Sequence, residues 1–561
     1  MVSTSRNAPQ PHPDFPSRAF DTSPSGGGCS GDAQRIPERV DVAIVGGGLA
    51  GLTAAKGLAG RSTLLLEQCD DLGGNAKTAR YHGLGFPIAG SCLQQPAPGG
   101  RIDRLFLDLG LGNHWRSTAT DAQVMFRTGL LVRNLGTVSL AFLRRPEWLL
   151  DSRVYALTGT LVRALLKGLP YIAAPKQLGD PIFASLYAYL GRLAPGKGRY
   201  PSIPWDPADG WTREEMEMFD SVTLEQVLFD SGIRSRLPAD LVPPAKLGRL
   251  IRDAVETTLR VECLRLDQVS GYVGLHFLVG YLYGVLVAFP GGNGFVSERL
   301  LDGLKKNVGF SRLVGCRVET IRPAPEGGYD LTCRYQGRML SLSARAVVWA
   351  APKYAAVEAI PDLPPAQRAA MARIDYGDYV VATVMLRHPL WSDKFGGYVI
   401  DGGADPTRAG GWCRTGCFIV ANWLDPARTH PAGVLTLLKP VTDSEARGRF
   451  ATTPFAQIQD ATFGEISSIL SSSGIPSTVI EDIRIWRWSR GLVSPRPGDM
   501  RDDLFLQASA RWGGIVFANQ DSHGIGNFEA AVLSGLDAAR SLQEDWPASA
   551  DPGPGRNAVI A

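Results

Sequence analysis

The chain has little of what marks several functional classes. Its charges nearly cancel: 58 Lys and Arg against 55 Asp and Glu leave +3 over 561 residues. That balance gives no global case for nucleic acid as a partner. Seven histidines occur without H-x-x-x-H or H-E-x-x-H spacing. Of eight cysteines only Cys413 and Cys417 lie close together, with no second half and no nearby histidine to complete a zinc site. No metal is therefore expected, and the scattered cysteines read as reduced thiols of a cytoplasmic protein. Residues 1–36, rich in Pro, Ser and Gly, lack the apolar core of a signal peptide and read as a disordered leader, with 546–561 as a matching tail. Long uncharged runs are scarce as well. The apolar stretch Gly271–Phe289 has 19 residues without a formal charge, enough to cross a bilayer. Its four glycines, its histidine and its direct entry into Phe289-Pro290-Gly291-Gly292 favour burial along a domain interface or substrate tunnel. Tyr272, His276, Phe277, Tyr281 and Tyr283 would then supply aromatic wall.

What is present begins at Val40. A length of 561 residues is too much for one core and implies two or three domains. Val40, Val42, Ala43, Ile44 and Val45 form the apolar run of a strand buried on both faces of a parallel sheet. Gly46, Gly48 and Gly51 follow at G-x-G-x-x-G spacing and open a helix over Leu49–Leu58. A tight turn, a close backbone approach to a pyrophosphate and close helix–strand packing require these three positions in turn. The N–H groups around Leu49 and Ala50 and the positive end of the helix would face the phosphates. A second strand, Ser62–Leu66, ends in Glu67, 21 residues beyond Gly46, where a carboxylate accepts from ribose hydroxyls. The acid, with Gln68 beside it, disfavours a 2′-phosphate and hence NADP.

Several later segments carry a family likeness. They are Leu72-Gly73-Gly74-Asn75-Ala76-Lys77-Thr78, Phe289-Pro290-Gly291-Gly292 with the strand Cys316–Ile321, Ala346–Pro352, and Ile515–Ser522 followed by Glu529–Gly535. In this order and spacing the chain resembles the superfamily of flavin amine oxidases and phytoene desaturases. The resemblance implies an α/β fold: a discontinuous Rossmann-like FAD-binding domain (37–95, 285–352 and 481–545) with an α+β substrate domain (96–284 and 353–480), a mixed sheet under an apolar helical cap. It implies FAD with its pyrophosphate at Gly46, Gly48, Leu49, Ala50 and Gly51 and its ribose at Glu67. Gly73, Gly74, Asn75, Lys77, Val318, Ala350 and Asp521 would line it, Val318 at the adenine and Asp521 at the ribityl–pyrophosphate region. A helix starting near Asn527 and Phe528 would aim its dipole at the reduced flavin.

Three departures narrow the chemistry. Many relatives carry a lysine near flavin N5 that helps oxygen react; counting back from Trp391 puts Val381, or Ala382, in its place. The two rings that flank the amine in monoamine oxidases correspond to Gly491 and Asn527, unless Trp486 or Trp488 substitutes. A cysteine that tethers flavin in some relatives would fall near Arg490, so FAD should be non-covalent. Ser91, Cys92, Trp488 and His523 are the candidate side chains near the reacting atoms. The expected function is hydride removal from a C–C or C–N bond of a largely apolar small molecule, by oxidation or desaturation, with O2 or a quinone or other redox partner as acceptor. A redox-neutral isomerase and a non-catalytic FAD-fold module are the alternatives. From Arg127 to Lys176, basic residues interleave with apolar ones, which leaves a peripheral membrane-surface contact open.

Overall fold

A computed structural model describes residues 36–544 apart from 113, 119–121, 127–130, 133–179, 246, 401–411, 426, 428, 443 and 473. The leader before Ile36, the tail and the basic run from Arg127 to Lys176 fall outside the described residues, except for the short strand Leu131–Val132. A helix spans Asp180–Arg192.

Strand β1, Arg39–Val45, leads through Gly46–Gly48 into helix α1, Leu49–Gly57, and on to strand β2, Thr63–Glu67. β1 is central in a seven-stranded sheet, flanked in parallel by β2 and by Arg338–Trp349. Phe310–Val314 extends the sheet beyond β2, and Ile515–Phe517 pairs in parallel with the end of Arg338–Trp349. The start of that long strand turns out of the parallel layer and joins Tyr329–Tyr335 and Cys316–Pro323 in an antiparallel meander. Alternation along β1 explains the unbroken apolar run. Val42 and Ile44 pack beneath α1 and the C-terminal helix Phe528–Glu544, while Ala43 and Val45 pack with Val318, Ile321 and Leu331 of the meander.

A second seven-stranded sheet runs in the order Ile480–Val493, Tyr376–Leu386, Gly433–Val441, Cys417–Val420, Gly396–Ile400, Ala122–Phe126, Leu131–Val132. It is antiparallel except where Gly396–Ile400 meets Ala122–Phe126. Ile480–Val493 lies along Tyr376–Leu386, so the domain boundary expected at 481 falls inside this sheet, and a division of the chain there moves past Val493. Only tertiary pairing reveals this, since an apolar strand reads the same in either sheet.

Helices Arg213–Asp220, Leu224–Phe229, Arg249–Arg260 and Gly271–Tyr283 share an apolar cluster around Trp211 and Tyr272. The uncharged run is thus a helix of 13 residues, then the strand Leu286–Ala288. Ser270 caps the helix, its Oγ 3.3 Å from the Val273 N–H. Ser270 also donates to Asp220, whose other oxygen accepts from Met500 and Arg501 N–H. That buried carboxylate ties the cap to the 497–501 corner. Among the described residues, no helix is long and apolar enough to cross a membrane.

The β1–α1 junction has no spare volume. A Cβ on Gly51 would lie 1.9 Å from the Gly46 carbonyl oxygen, whereas one on Gly448, at an exposed position of the helix Ser444–Thr452, meets nothing within 4 Å. Gly51→Ala is therefore expected to destabilise by about 1–3 kcal/mol, the usual cost of overpacking. Gly448→Ala is expected to be neutral or to stabilise by up to about 1 kcal/mol. Thermal unfolding of the two variants side by side checks the contrast.

Candidate functional site

The segments singled out in the sequence meet along a seam between the two sheets. Gly73 N–H donates to the Gly47 carbonyl at 2.8 Å, and a Cβ on Gly74 would lie 2.9 Å from Gly48 Cα, so the two glycine turns stack backbone on backbone. From there the chain is knitted to the other motifs. Asn75 O accepts from Gly90 N–H, Gly90 O from Asn293 N–H, and Thr78 Oγ1 donates to Gly291 O at 2.9 Å. Asn293 Nδ2 reaches Cys92 O, and Trp488 Nε1 donates to Ile88 O at 2.8 Å. The Gly491 carbonyl closes the ring by accepting from both Asn75 Nδ2 (2.8 Å) and Gln520 Nε2 (2.6 Å).

At one end of this seam the geometry suits a dinucleotide. Gly46 has φ +109°, and a Cβ there would sit 2.9 Å from the Ala350 carbonyl. No side chain caps α1 at Gly48, so the first-turn N–H groups of Leu49, Ala50 and Gly51 carry the positive end of the helix without a protein acceptor at the cap. A Cβ on Gly48 would enter space whose nearest neighbour is Gly74 Cα at 3.7 Å. An uncapped helix end beside a cradle that only glycine leaves open fits a pyrophosphate. Glu67, at the tip of β2, accepts the Gly47 N–H at 2.6 Å and the Cys69 N–H at 2.8 Å, which leaves each oxygen a second lone pair for a ribose hydroxyl. Gln68 beside it is exposed. Val318 is buried at a bulge in the meander, in the cluster that holds Val45 and Leu66.

Asp521 is not at the cleft. It is fully buried, with its oxygens on Lys353 Nζ (2.7 Å), the Lys353 N–H (2.8 Å) and the Tyr376 hydroxyl (2.7 Å). Burial pulls the Lys353 ammonium down and the adjacent carboxylate supports it. The residue that reaches the seam is its neighbour Gln520. Neither Gln520 nor Lys353 belongs to a motif that marks it in the sequence. Lys77 pairs with Asp71 at 2.6 Å and lies 5.9 Å from the Trp488 ring centre. Asn527 caps the C-terminal helix, its Oδ1 accepting the Ala530 N–H at 2.8 Å, and Phe528 packs against Phe106.

Strand register settles which residue of the second sheet faces the seam. Val381 pairs with Trp486 and Leu438, and Tyr379 with Trp488, and paired residues share a face. Trp488 bonds Ile88 O across the seam, so Val381, and not Ala382, is on the cleft face. Lys439, opposite Val380, is on the other face, held by Glu465. Leu438 pairs with Cys417, and Cys417 with Tyr398, which continues the cleft face.

Ser91 is buried, and burial pushes the Cys92 thiol up to about 12, so it is a packed thiol and no nucleophile at neutral pH. His523 is half-buried with no hydrogen-bond partner for Nε2 among the described residues, and burial lowers its basicity. Among the expected wall aromatics, Tyr272 is core, with its hydroxyl on Ser202 O. His276 is pulled down to about 4 by burial and faces Pro201 O at 2.8 Å. Tyr283 is exposed, and Tyr281 turns to Glu262. Among the described residues no group of three or more His, Cys, Asp or Glu is placed to hold a metal.

Comparison with known proteins agrees with this geometry. The chain matches the flavin containing amine oxidoreductase family over residues 49–543. It is 42% identical over 534 residues to Oxidoreductase PigB from Serratia sp., covering 94% of this chain and 78% of that protein. Among solved structures, putrescine oxidase bound to putrescine superposes with a TM-score of 0.57 at 17% identity, over 90% of this chain and 99% of that one. Cyclohexylamine oxidase from Brevibacterium oxydans gives 0.57 at 18% identity, with coverage of 90% and 99%. At such identities these structures attest the fold alone.

The buried Lys353–Asp521 pair supports the 518–523 turn. Removing either charge strands the other: Lys353→Met and Asp521→Asn are each expected to destabilise by about 3–5 kcal/mol, and the double variant by less than the sum. Urea unfolding of the three variants measures the coupling.

Proposed function

The chain belongs to the flavin containing amine oxidoreductase family, with FAD as its cofactor, and from that premise we propose that it oxidises a C–N or C–C bond of a largely apolar small molecule. The N-terminal end of α1 with Gly46, Gly48 and Gly51 would hold the pyrophosphate. Glu67 would hold the adenosine ribose, and Asn75, Lys77, Trp488 and Gln520 would border the flavin half. Bound FAD supplies a two-electron acceptor for the hydride that leaves the substrate.

This chain's own residues exclude water and orient the substrate. Val381, Leu438, Tyr379 and Trp488 form a hydrophobic floor, where a reacting molecule is held close to the cofactor in a low-dielectric site. The observation that carries the reading is this floor, with an aliphatic residue at the position where a lysine was sought. It supports oxidation of a larger apolar substrate more than that of a small amine. Arg490, at the position of the tether in some relatives, has its guanidinium 4.3 Å from the Tyr354 ring centre and no thiol to offer, which supports a non-covalent cofactor. The acceptor that reoxidises the flavin is O2 or a quinone-type partner.

Two measurements test the proposal. Acid precipitation of the yellow protein is expected to release all flavin into the supernatant; flavin retained in the pellet would contradict the non-covalent assignment. Incubation without air against a panel of apolar amines and partly saturated nitrogen heterocycles is expected to bleach the flavin band lastingly. Turnover of a panel member with no lasting bleaching would instead indicate an isomerase.

A further inference from the structure

One residue of the seam holds a backbone that its type does not favour. Asn519, between the strand Ile515–Phe517 and the turn that carries Gln520, has φ +137° and ψ 164°. Glycine enters that region freely, whereas a Cβ there crowds the neighbouring backbone. The six other non-glycine residues with positive φ among the described residues lie at 48–56°, in the milder left-handed well. Where the chain needs comparable angles beside the same site, at Gly46 (+109°) and Gly73 (+116°), glycine supplies them. A turn required only for its path would be met by glycine without strain. The asparagine side chain therefore needs a reason of its own.

The surroundings of Asn519 supply that reason. Its N–H donates to Ser534 Oγ of the C-terminal helix at 2.9 Å, and its carbonyl accepts from the Ser522 N–H at 3.1 Å. Its Nδ2 donates to the Ala350 carbonyl at 3.3 Å. That carbonyl is the group a Cβ on Gly46 would strike at 2.9 Å, so Asn519 lies one contact away from the glycine cradle. Its neighbour Gln520 holds Gly491 O, at the border of the flavin half. Because a carbonyl only accepts, Ala350 O takes the amide nitrogen and leaves Oδ1 as an acceptor. Asn519 is half-buried, and among the described residues Oδ1 has no hydrogen bond. A pyrophosphate, which offers only acceptors at neutral pH, cannot satisfy it, and the adenosine ribose belongs to Glu67. Between the cradle and the flavin ring, the donors on FAD are the hydroxyls of its ribityl chain.

We propose that Asn519 is a cofactor-binding residue whose free carboxamide oxygen accepts from a ribityl hydroxyl of FAD, and that the strained backbone at this position is retained to place it. The inference rests on FAD as the cofactor and adds a contact at its middle. Strain and affinity then oppose each other at one residue: a change to glycine relieves the backbone and removes the acceptor. A purely structural asparagine would behave differently. Loss of its bond to Ala350 O would disturb the Gly46 turn and weaken every ligand that uses the cradle.

Titration of the flavin-free full chain with FAD, and displacement of FAD by ADP, tests this, because ADP carries the adenosine and the pyrophosphate but no ribityl chain. Asn519→Gly is expected to weaken FAD about tenfold, as loss of one hydrogen bond would, and to change the affinity for ADP by less than about twofold. Asn519→Ala loses the same amide but keeps a Cβ. It should show the same two affinities and unfold at a lower temperature than Asn519→Gly. That order is the reverse of what unfolded-chain entropy alone would give. FAD bound by Asn519→Gly as tightly as by the wild type overturns the inference. So does an equal loss of affinity for ADP, or an alanine variant that unfolds at the higher temperature. Should the alanine variant not fold, the glycine variant alone carries the comparison of FAD with ADP. Failure of the cofactor assignment looks different: wild-type chain that takes up no FAD.

Discussion

The Gly491 carbonyl, which accepts from Asn75 and Gln520 together, is the contact on which the cleft depends. Asn75 belongs to the glycine turn behind β2, Gln520 to the turn behind Ile515–Phe517, and Gly491 to a strand of the other sheet. Asn75 is 416 residues from Gly491 and Gln520 is 29 residues from it, so neither bond is one that local secondary structure supplies. The carbonyl of this buried glycine meets both amide donors only when both sheets are in place, and each donor left unpaired would cost about 1–3 kcal/mol. The seam that results is polar along its line and apolar on its flanks, as a site must be if it is to bind a charged dinucleotide and an apolar molecule side by side.

Stiffness at the seam comes from beneath. Lys353 and Asp521 are fully buried and bonded to each other, to Tyr376 and to Ser522. The pair fixes the turn that presents Gln520. Such a pair is weak evidence for stability, yet its loss from one side is costly. Its role here is positional: the segment after Arg338–Trp349, the turn after Phe517 and the strand Tyr376–Leu386 are locked at one point.

The part legible in the sequence is the part whose physics is local. β1, the three glycines, α1, β2 and Glu67 lie within one βαβ unit, where periodicity, turn geometry and a fixed offset all agree. Val381 was placed to within one residue, and pairing with Trp486 supplied the rest. Legibility failed where partners are distant. Asp521 is the acid of its turn, but nothing in Asn519-Gln520-Asp521-Ser522 reveals which side chain points inward. That depends on Lys353, 168 residues earlier. Glu262 gave no signal at all. It lies in a stretch without a motif, and its contact with Tyr281 exists only in the folded chain. The uncharged run after Gly271 misleads by composition: of the five side chains expected as aromatic wall, Tyr272, His276, Phe277 and Tyr283 serve the cap's core or surface, and Tyr281 bonds Glu262.

The central claim is that one extended FAD lies along the seam, held at both halves. Titrating flavin-free protein with FAD and, separately, with FMN tests it most directly, because FMN lacks the adenosine half that the α1 end and Glu67 would hold. Stoichiometric binding of FAD, with FMN weaker by at least about a hundredfold, is the predicted result. Equal affinity for the two, or binding of neither, would contradict it.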